Sequence, residues 1–261
     1  MSLKRLLRSV VRDLLPYAAL EFRTPAGLHL FVPDRGAWSS AGEVFMGRVY
    51  DPFYQHLGEV RQWVDLGCNN GFFSFGLVDH IYRQSGTVPE TRAFLGDANP
   101  VCAARVAAAI AHNGLAGRWT CEPAIIGPRG ATVSLKVHKD SMHTNIFDRG
   151  HGRRAGGRTT TDISARLARE TGYFDLIKID IEGAEKFLFD DHLDFLKRFP
   201  LGLCEWHAPM FPGPEIKARL DRLGWPVLEF RSQGVEYDLK RGTSWESPAG
   251  MVLWRNPAPT R

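Results

Sequence analysis

Acidic side chains recur in this chain where an apolar strand gives way to a turn, and that placement is where its chemistry can be sought. The stretch W-V-D-L-G-C-N-N-G-F-F, Trp63 to Phe73, runs from strand through glycine turn to helix without a break. Such a unit is the mouth of a doubly wound α/β sheet, where bare backbone at Gly67 and Gly71 lets a ligand approach a helix N-terminus. The turn reads G-x-N-x-G, not the G-x-G-x-x-G of dinucleotide sites, and an acid at the strand tip suits a pyrophosphate poorly. S-adenosylmethionine fits Asp65 better: it has no phosphate and carries a sulfonium and an ammonium that a carboxylate attracts. The competing reading is an ordinary buried strand-turn-helix.

Three further strand ends repeat the pattern. Arg92 to Asp97 closes on a carboxylate that lies across the same crevice, where it can accept hydrogen bonds from both hydroxyls of a ribose. Its alternative is to cap the helix starting near Pro100, a role Asn99 could also fill. The run F-D-L-I-K-I-D-I-E-G-A-E, Phe174 to Glu185, reads as a central buried strand ending in Asp180, Glu182 and Glu185. Acids clustered there cost free energy unless something binds them, and they would face the sulfonium. Asp180 and Glu185 could instead cap the helix expected from Ala184 to Lys197. Leu201 to Ala208 exits through Glu205 and His207, and a histidine titrating near about 6.5 suits a general base, although a lone histidine is more often structural. Ser141 to Ile146 is an oddly polar run beside the sheet, so His143 and Asn145 join Glu205 as candidate substrate contacts; a solvated loop is the alternative.

The elements that must position these groups follow from periodicity. Leu3 to Leu15 places apolar residues on one face of a helix with Lys4, Arg5, Arg8 and Arg12 on the rest. Its charges are threaded through it, so it is not expected to be a secretory signal, and it could serve as a lid or dimer contact. A hairpin around Pro25 to Gly27, a short helix capped by Ser40 with Glu43, and another opened by Asp51 and Pro52 complete a cap over residues 1–58. The main domain is expected at 59–261. It contains helices from Phe72 to Tyr82, from Val101 to Asn113, from Thr160 or Thr161 to Glu170, and from Pro212 to Leu223. Strands are expected at Arg118 to Ile126, whose residues Glu122 to Ile125 would flank an adenine, and at Thr132 to Val137, Trp225 to Phe230 and Gly250 to Trp254. Arg149 to Arg158 has too much glycine to hold a fixed shape and reads as a flexible loop.

Composition narrows the class. A net charge of +4 is too mild to predict nucleic acid, and no basic run is interleaved with aromatics. The four cysteines form no C-x-x-C pair, which argues against zinc or a disulfide framework and for reduced thiols in a cytoplasmic protein. No apolar run approaches the ~18 residues of a membrane span. No ligand spacing demands a metal, though Asp180, Glu182 and Glu205 could gather oxygens.

Taken together, V-D-L-G-C-N-N-G-F-F, D-A-N-P and D-L-I-K-I-D-I-E-G-A-E resemble the FkbM family of S-adenosylmethionine-dependent methyltransferases, over about Arg61 to Leu203. The resemblance implies a Rossmann-like, seven-stranded, mostly parallel sheet with helices on both faces and the last strand antiparallel. It implies methyl transfer to a hydroxyl of a sugar or natural product, with N-methylation of a peptide or amine as the alternative. It carries Asp65, Gly67, Asn69 and Gly71 to the methionine part of the cofactor, Asp97 to the ribose, and Asp180 with Glu182 to the reacting end. Cys68 in the same turn and Asn99 beside Asp97 belong to the expected cofactor set. His207, Glu182 and Asp180 form the expected catalytic set. The family's acid at the end of strand two is commonly Glu followed by Pro, whereas Asp97-Ala-Asn-Pro100 stands here.

Overall fold

The computed structural model describes residues 20–137, 153–168, 173–233, 239–241 and 244–260. The helix expected over residues 3–15, the run 141–146 with His143 and Asn145, and residues 149–152 lie outside them.

The chain begins with a hairpin of β1 (Leu20–Arg23) and β2 (His29–Val32), paired with Leu20 opposite Val32. Helix α1 (Arg35–Ala41) starts at Asp34, whose carboxylate accepts from the Ala37 amide 2.9 Å away. It runs on into a π-helical turn at Gly42–Gly47, and α2 (Asp51–Tyr54) follows, with Pro52 in its first turn. The expected cap at Ser40 and Glu43 is therefore corrected: both lie beyond the true helix start, because Asp34 satisfies the free amides first.

Strands β3 (Gln62–Leu66) and β4 (Arg92–Asp97) flank α3 (Phe72–Ser85), and α4 (Pro100–His112) leads to β5 (Trp119–Pro123). Next come β6 (Thr132–Val137), β7 (Arg153–Thr159), α5 (Ile163–Leu167), β8 (Leu176–Ile179), α6 (Glu185–Asp190), α7 (Leu193–Leu196) and β9 (Leu201–His207). The chain closes with α8 (Gly213–Leu223), β10 (Val227–Gln233), β11 (Leu239–Arg241) and β12 (Ala249–Arg255).

The main sheet has the order β11-β10-β12-β9-β8-β3-β4-β5. β9, β8, β3, β4 and β5 are mutually parallel, and β12 lies antiparallel between β9 and β10. This is the expected seven-stranded arrangement with an antiparallel last strand, extended at one edge by the three residues of β11. Side chains alternate across it. Trp63, Leu95, Leu176 and Leu203 face one apolar cluster, whereas Val64, Phe94, Ile177 and Cys204 face another, so both faces are covered. The first cluster also takes in Leu30, Ala37, Phe53 and Tyr54, which packs the N-terminal segment against α3 and α4. Asn113 fastens it there: its Oδ1 accepts from the His29 amide at 2.7 Å and its Nδ2 donates to the His29 carbonyl at 2.9 Å.

Three expectations are corrected. The glycine-rich run is a strand from Arg153 onward, antiparallel to β6, and a Cβ at Gly157 would come within 3.0 Å of Thr132 Cγ2, so glycine there serves the close pairing. Asp162, not Thr160 or Thr161, caps α5, because Thr161 Oγ1 accepts from the Ile125 amide and Thr160 Oγ1 donates to the Pro128 carbonyl. The helix expected from Ala184 to Lys197 breaks into α6 and α7 at His192, a fully buried ring whose Nε2 stands 3.2 Å from the Gly127 carbonyl. No helix among the described residues is long and apolar enough to cross a membrane, and all four cysteines are free.

Candidate active site

The order of the main sheet reverses at β3, which is followed in sequence by β4 on one side and bordered by β8 on the other. Ligands of open α/β sheets sit at such a switch point, outside the C-terminal strand ends. After Leu66 the chain turns at Gly67 with φ +74°, and a Cβ there would fall 1.6 Å from the Asp180 carbonyl oxygen. The two strand ends thus pass so closely that only glycine fits. Asn69 holds a left-handed φ of 49°, which turns its amide toward Asp97 Oδ2 at 2.8 Å. Asp97 Oδ1 accepts from the Asn99 amide at 2.7 Å, so one carboxylate ties both loops of the crevice. Burial pushes the Asp97 carboxyl up to about 6, against the lowering effect of those two amides. Asn99 spends its own side chain as the α4 cap, accepting from the Val101 amide. Cys68 is buried, with its sulfur 4.0 Å from that of Cys121.

Asp65 does not reach the crevice. It is fully buried, accepts from Ser74 Oγ at 2.8 Å, and stands 3.4 Å from Lys178 Nζ on the neighbouring strand, its register partner. Its side chain packs beneath α3 as a counter-ion to Lys178, where a contact to the methionine part of a cofactor is expected from the sequence. Lys178, which the sequence reading passed over, also donates to the Gly67 carbonyl at 3.0 Å and to Asp180 Oδ2 at 3.2 Å. Burial opposes its charge, and the carboxylates of Asp180 and Asp65 outweigh that and hold the amine protonated well above its ordinary range. The signal was available: one lysine inside L-I-K-I, opposite an aspartate one strand away.

The ends of β8 and β9 gather the remaining acids around His207. Its Nδ1 lies 3.1 Å from Glu185 Oε1, and its Nε2 faces Asp180 Oδ1 at 3.8 Å, Glu205 Oε1 at 3.8 Å and Glu182 Oε2 at 4.0 Å. Burial works against a charged ring, and the Glu185 hydrogen bond with the carboxylates of Glu185, Glu205 and Glu182 overrides it, holding the imidazole well above its usual value. That direction weighs against His207 as an ordinary titrating base, the role expected of it. Burial, then Asp180, pushes Glu205 up to about 8. Glu185 is fully buried and accepts from the Ile181 amide at 3.0 Å, while Glu182 has a left-handed φ of 56° at the turn.

Asp180 and Glu205 at these strand ends, with the Gly67 turn and Lys178, line an open cleft roofed by Ser40, Glu43 and Tyr50 from the π-helical turn and its flanks. Sequence reasoning missed Glu43 as a site residue; burial, then the nearby Asp180, raises its carboxyl. Glu122, expected near an adenine, is bound by Arg166 at 2.5 and 2.9 Å.

No protein-family model matches the chain, and no curated protein matches it. Among solved structures, a putative S-adenosylmethionine-dependent methyltransferase from Streptococcus mutans is similar over 91% of this chain and 55% of its own, with a TM-score of 0.50 and 10% identity. The fold is that of the class I methyltransferases. TrmK of M. capricolum, solved with S-adenosylhomocysteine, covers 82% of this chain and 70% of its own at a TM-score of 0.46 and 8% identity. An O-methyltransferase from Bacillus cereus, also solved with S-adenosylhomocysteine, covers 80% of each at 0.45 and 11%. Identities this low speak to the fold alone.

Proposed function

We propose that the chain is an S-adenosylmethionine-dependent O-methyltransferase of the FkbM type, acting on a hydroxyl of a sugar or natural product. The observation that carries this is the meeting of the Gly67 turn, braced by Asp97 through the Asn69 amide, with Asp180 and Glu205 from the ends of β8 and β9 at one switch-point cleft. The donor set fits this cofactor better than a dinucleotide. Lys178, a basic side chain of the cleft, is already shared between Asp65 and Asp180, and the carboxyl groups of Glu43, Asp180 and Glu205 give the cleft an acidic lining that suits a sulfonium better than a phosphate, although Glu205, pushed up to about 8, adds its charge only at higher pH.

When bound, the cofactor supplies an electrophilic methyl group. The Gly67 to Gly71 turn, with Cys68 and Asn69, holds its methionine part, and Asp97, steadied by the Asn69 and Asn99 amides, accepts from the ribose hydroxyls. Asp180 and Glu182 stand at the reacting end. His207, pinned by Glu185, positions them, and Glu182 takes the proton of the acceptor hydroxyl. Residues 1–58 act as the cap that excludes water over the cleft, and His143 and Asn145 contribute to the acceptor side.

A methyl-labelling reaction tests the reading. With carbon-labelled cofactor and separate hydroxyl and amine acceptor pools, label should appear as an O-methyl carbon. Glu182→Gln should lower kcat by about 10²-fold or more while S-adenosylhomocysteine binds unchanged. Label confined to amines would replace O- with N-methylation, and no transfer to any pool would reject the enzyme reading.

A further inference from the structure

Two groups of described residues bring possible metal ligands within 4.8 Å of one another: Glu21, His29 and His112 on the hairpin side, and Asp180, Glu185 and His207 in the cleft. We propose that the second, together with Glu205 3.8 Å from His207 Nε2, marks a divalent cation site of the Mn²⁺ type, with His207 Nε2, Asp180 and Glu205 as ligands and Glu185 as the outer carboxylate that orients the imidazole.

The hydrogen bond from Nδ1 to Glu185 leaves Nε2 facing Asp180 at 3.8 Å, Glu205 at 3.8 Å and Glu182 at 4.0 Å. A proton on Nε2 balances these carboxylates while no ion is bound; an ion that displaces this proton meets a ring nitrogen and three carboxylates, an anionic donor set that a divalent cation balances more fully. Around an octahedral ion with bonds of about 2.1 Å, neighbouring ligand atoms are about 3.0 Å apart and opposite ones about 4.2 Å, so the observed spacings of 3.8 to 4.0 Å from Nε2 fall between the two and reach one ion after small closures. Carboxylate on one ring nitrogen and metal on the other is the usual setting of a ligating histidine. Glu185 is fully buried, reaches into this cluster, and its Oε2 has no hydrogen-bond partner. Lys178 cannot neutralise the cluster alone, because its amine is divided among Asp65, Asp180 and a carbonyl.

One imidazole among carboxylates favours Mn²⁺ over Mg²⁺, which takes oxygen ligands almost alone. Asp180 and Glu205 line the cleft, so the positions left open on the ion face the space where an acceptor oxygen would sit. The inference does not depend on the methyl-donor reading, and its test uses neither cofactor nor acceptor.

The full chain is titrated with Mn²⁺ and followed by electron paramagnetic resonance. One ion should bind, with spin-echo modulation from a coordinated nitrogen. His207→Ala and Glu205→Gln, each checked for folding by circular dichroism, should weaken it at least about tenfold, and His112→Ala should leave it intact. Absence of Mn²⁺ uptake at millimolar concentration, absence of the nitrogen signal in the unaltered protein, or loss only in His112→Ala would overturn the proposal. S-adenosylhomocysteine binding in the same samples separates that failure from failure of the methyl-donor reading.

Discussion

Asp97 titrates at about 6, in a range where ligand binding can report its charge. Burial raises it from the usual carboxylate value, so its penalty to folding is absent below the unfolded value near 3.8, builds between there and about 6, and is complete above. Ribose hydroxyls donate to the ionised form, so the ligand's stabilisation runs the other way: it is complete above about 6 and lost below. S-adenosylhomocysteine should bind about tenfold more weakly at about pH 5 than at about pH 7, and Asp97→Asn should flatten that profile; calorimetric titration at both values checks it. The carboxylates of Asp97, Asp180 and Glu205 were legible in the sequence because parallel strands of one sheet deliver their C-terminal ends to one rim. Asp65 was misread for a related reason. Successive side chains alternate between faces, and Asp65 shares with its register partner Lys178 the face that α3 covers through Ser74. Glu43 was hidden because its expected helix start actually lies upstream at Asp34.

Among the elements, the hairpin of β1 and β2 shows how the roof of the cleft is held. Asn113, at the end of α4, bonds both backbone groups of His29, Asp79 on α3 accepts from the Ala26 amide, and Arg105 on α4 pairs with Asp34 at 2.8 Å. Asn113→Ala removes both bonds to His29 and should cost about 1–3 kcal/mol, read as a melting point lower by several degrees. A change within about 0.5 kcal/mol would mean that the hairpin is not fastened through this residue. Strong periodic elements such as β4, β9, α3 and α4 were legible to within a few residues. The pairing of β7 was not, because local glycine content says nothing of the partner strand β6 supplies, and the break at His192 arises from tertiary packing against Gly127.

For the whole molecule, the strand order and the covering of both sheet faces bring a turn, with Asp97 braced behind it, and an acidic rim to one cleft beneath the N-terminal segment. The seven strands were foreseeable from alternating strand and helix patterns, whereas the edge strand β11 is three residues long and leaves no periodic trace. The central claim is that this cleft holds S-adenosylmethionine through the Gly67 turn and Asp97. Isothermal titration of the full chain with S-adenosylhomocysteine tests it most directly. The account predicts one molecule bound per chain at neutral pH and marked weakening in Asp97→Ala; no binding at millimolar ligand, or equal binding in the variant, would contradict it.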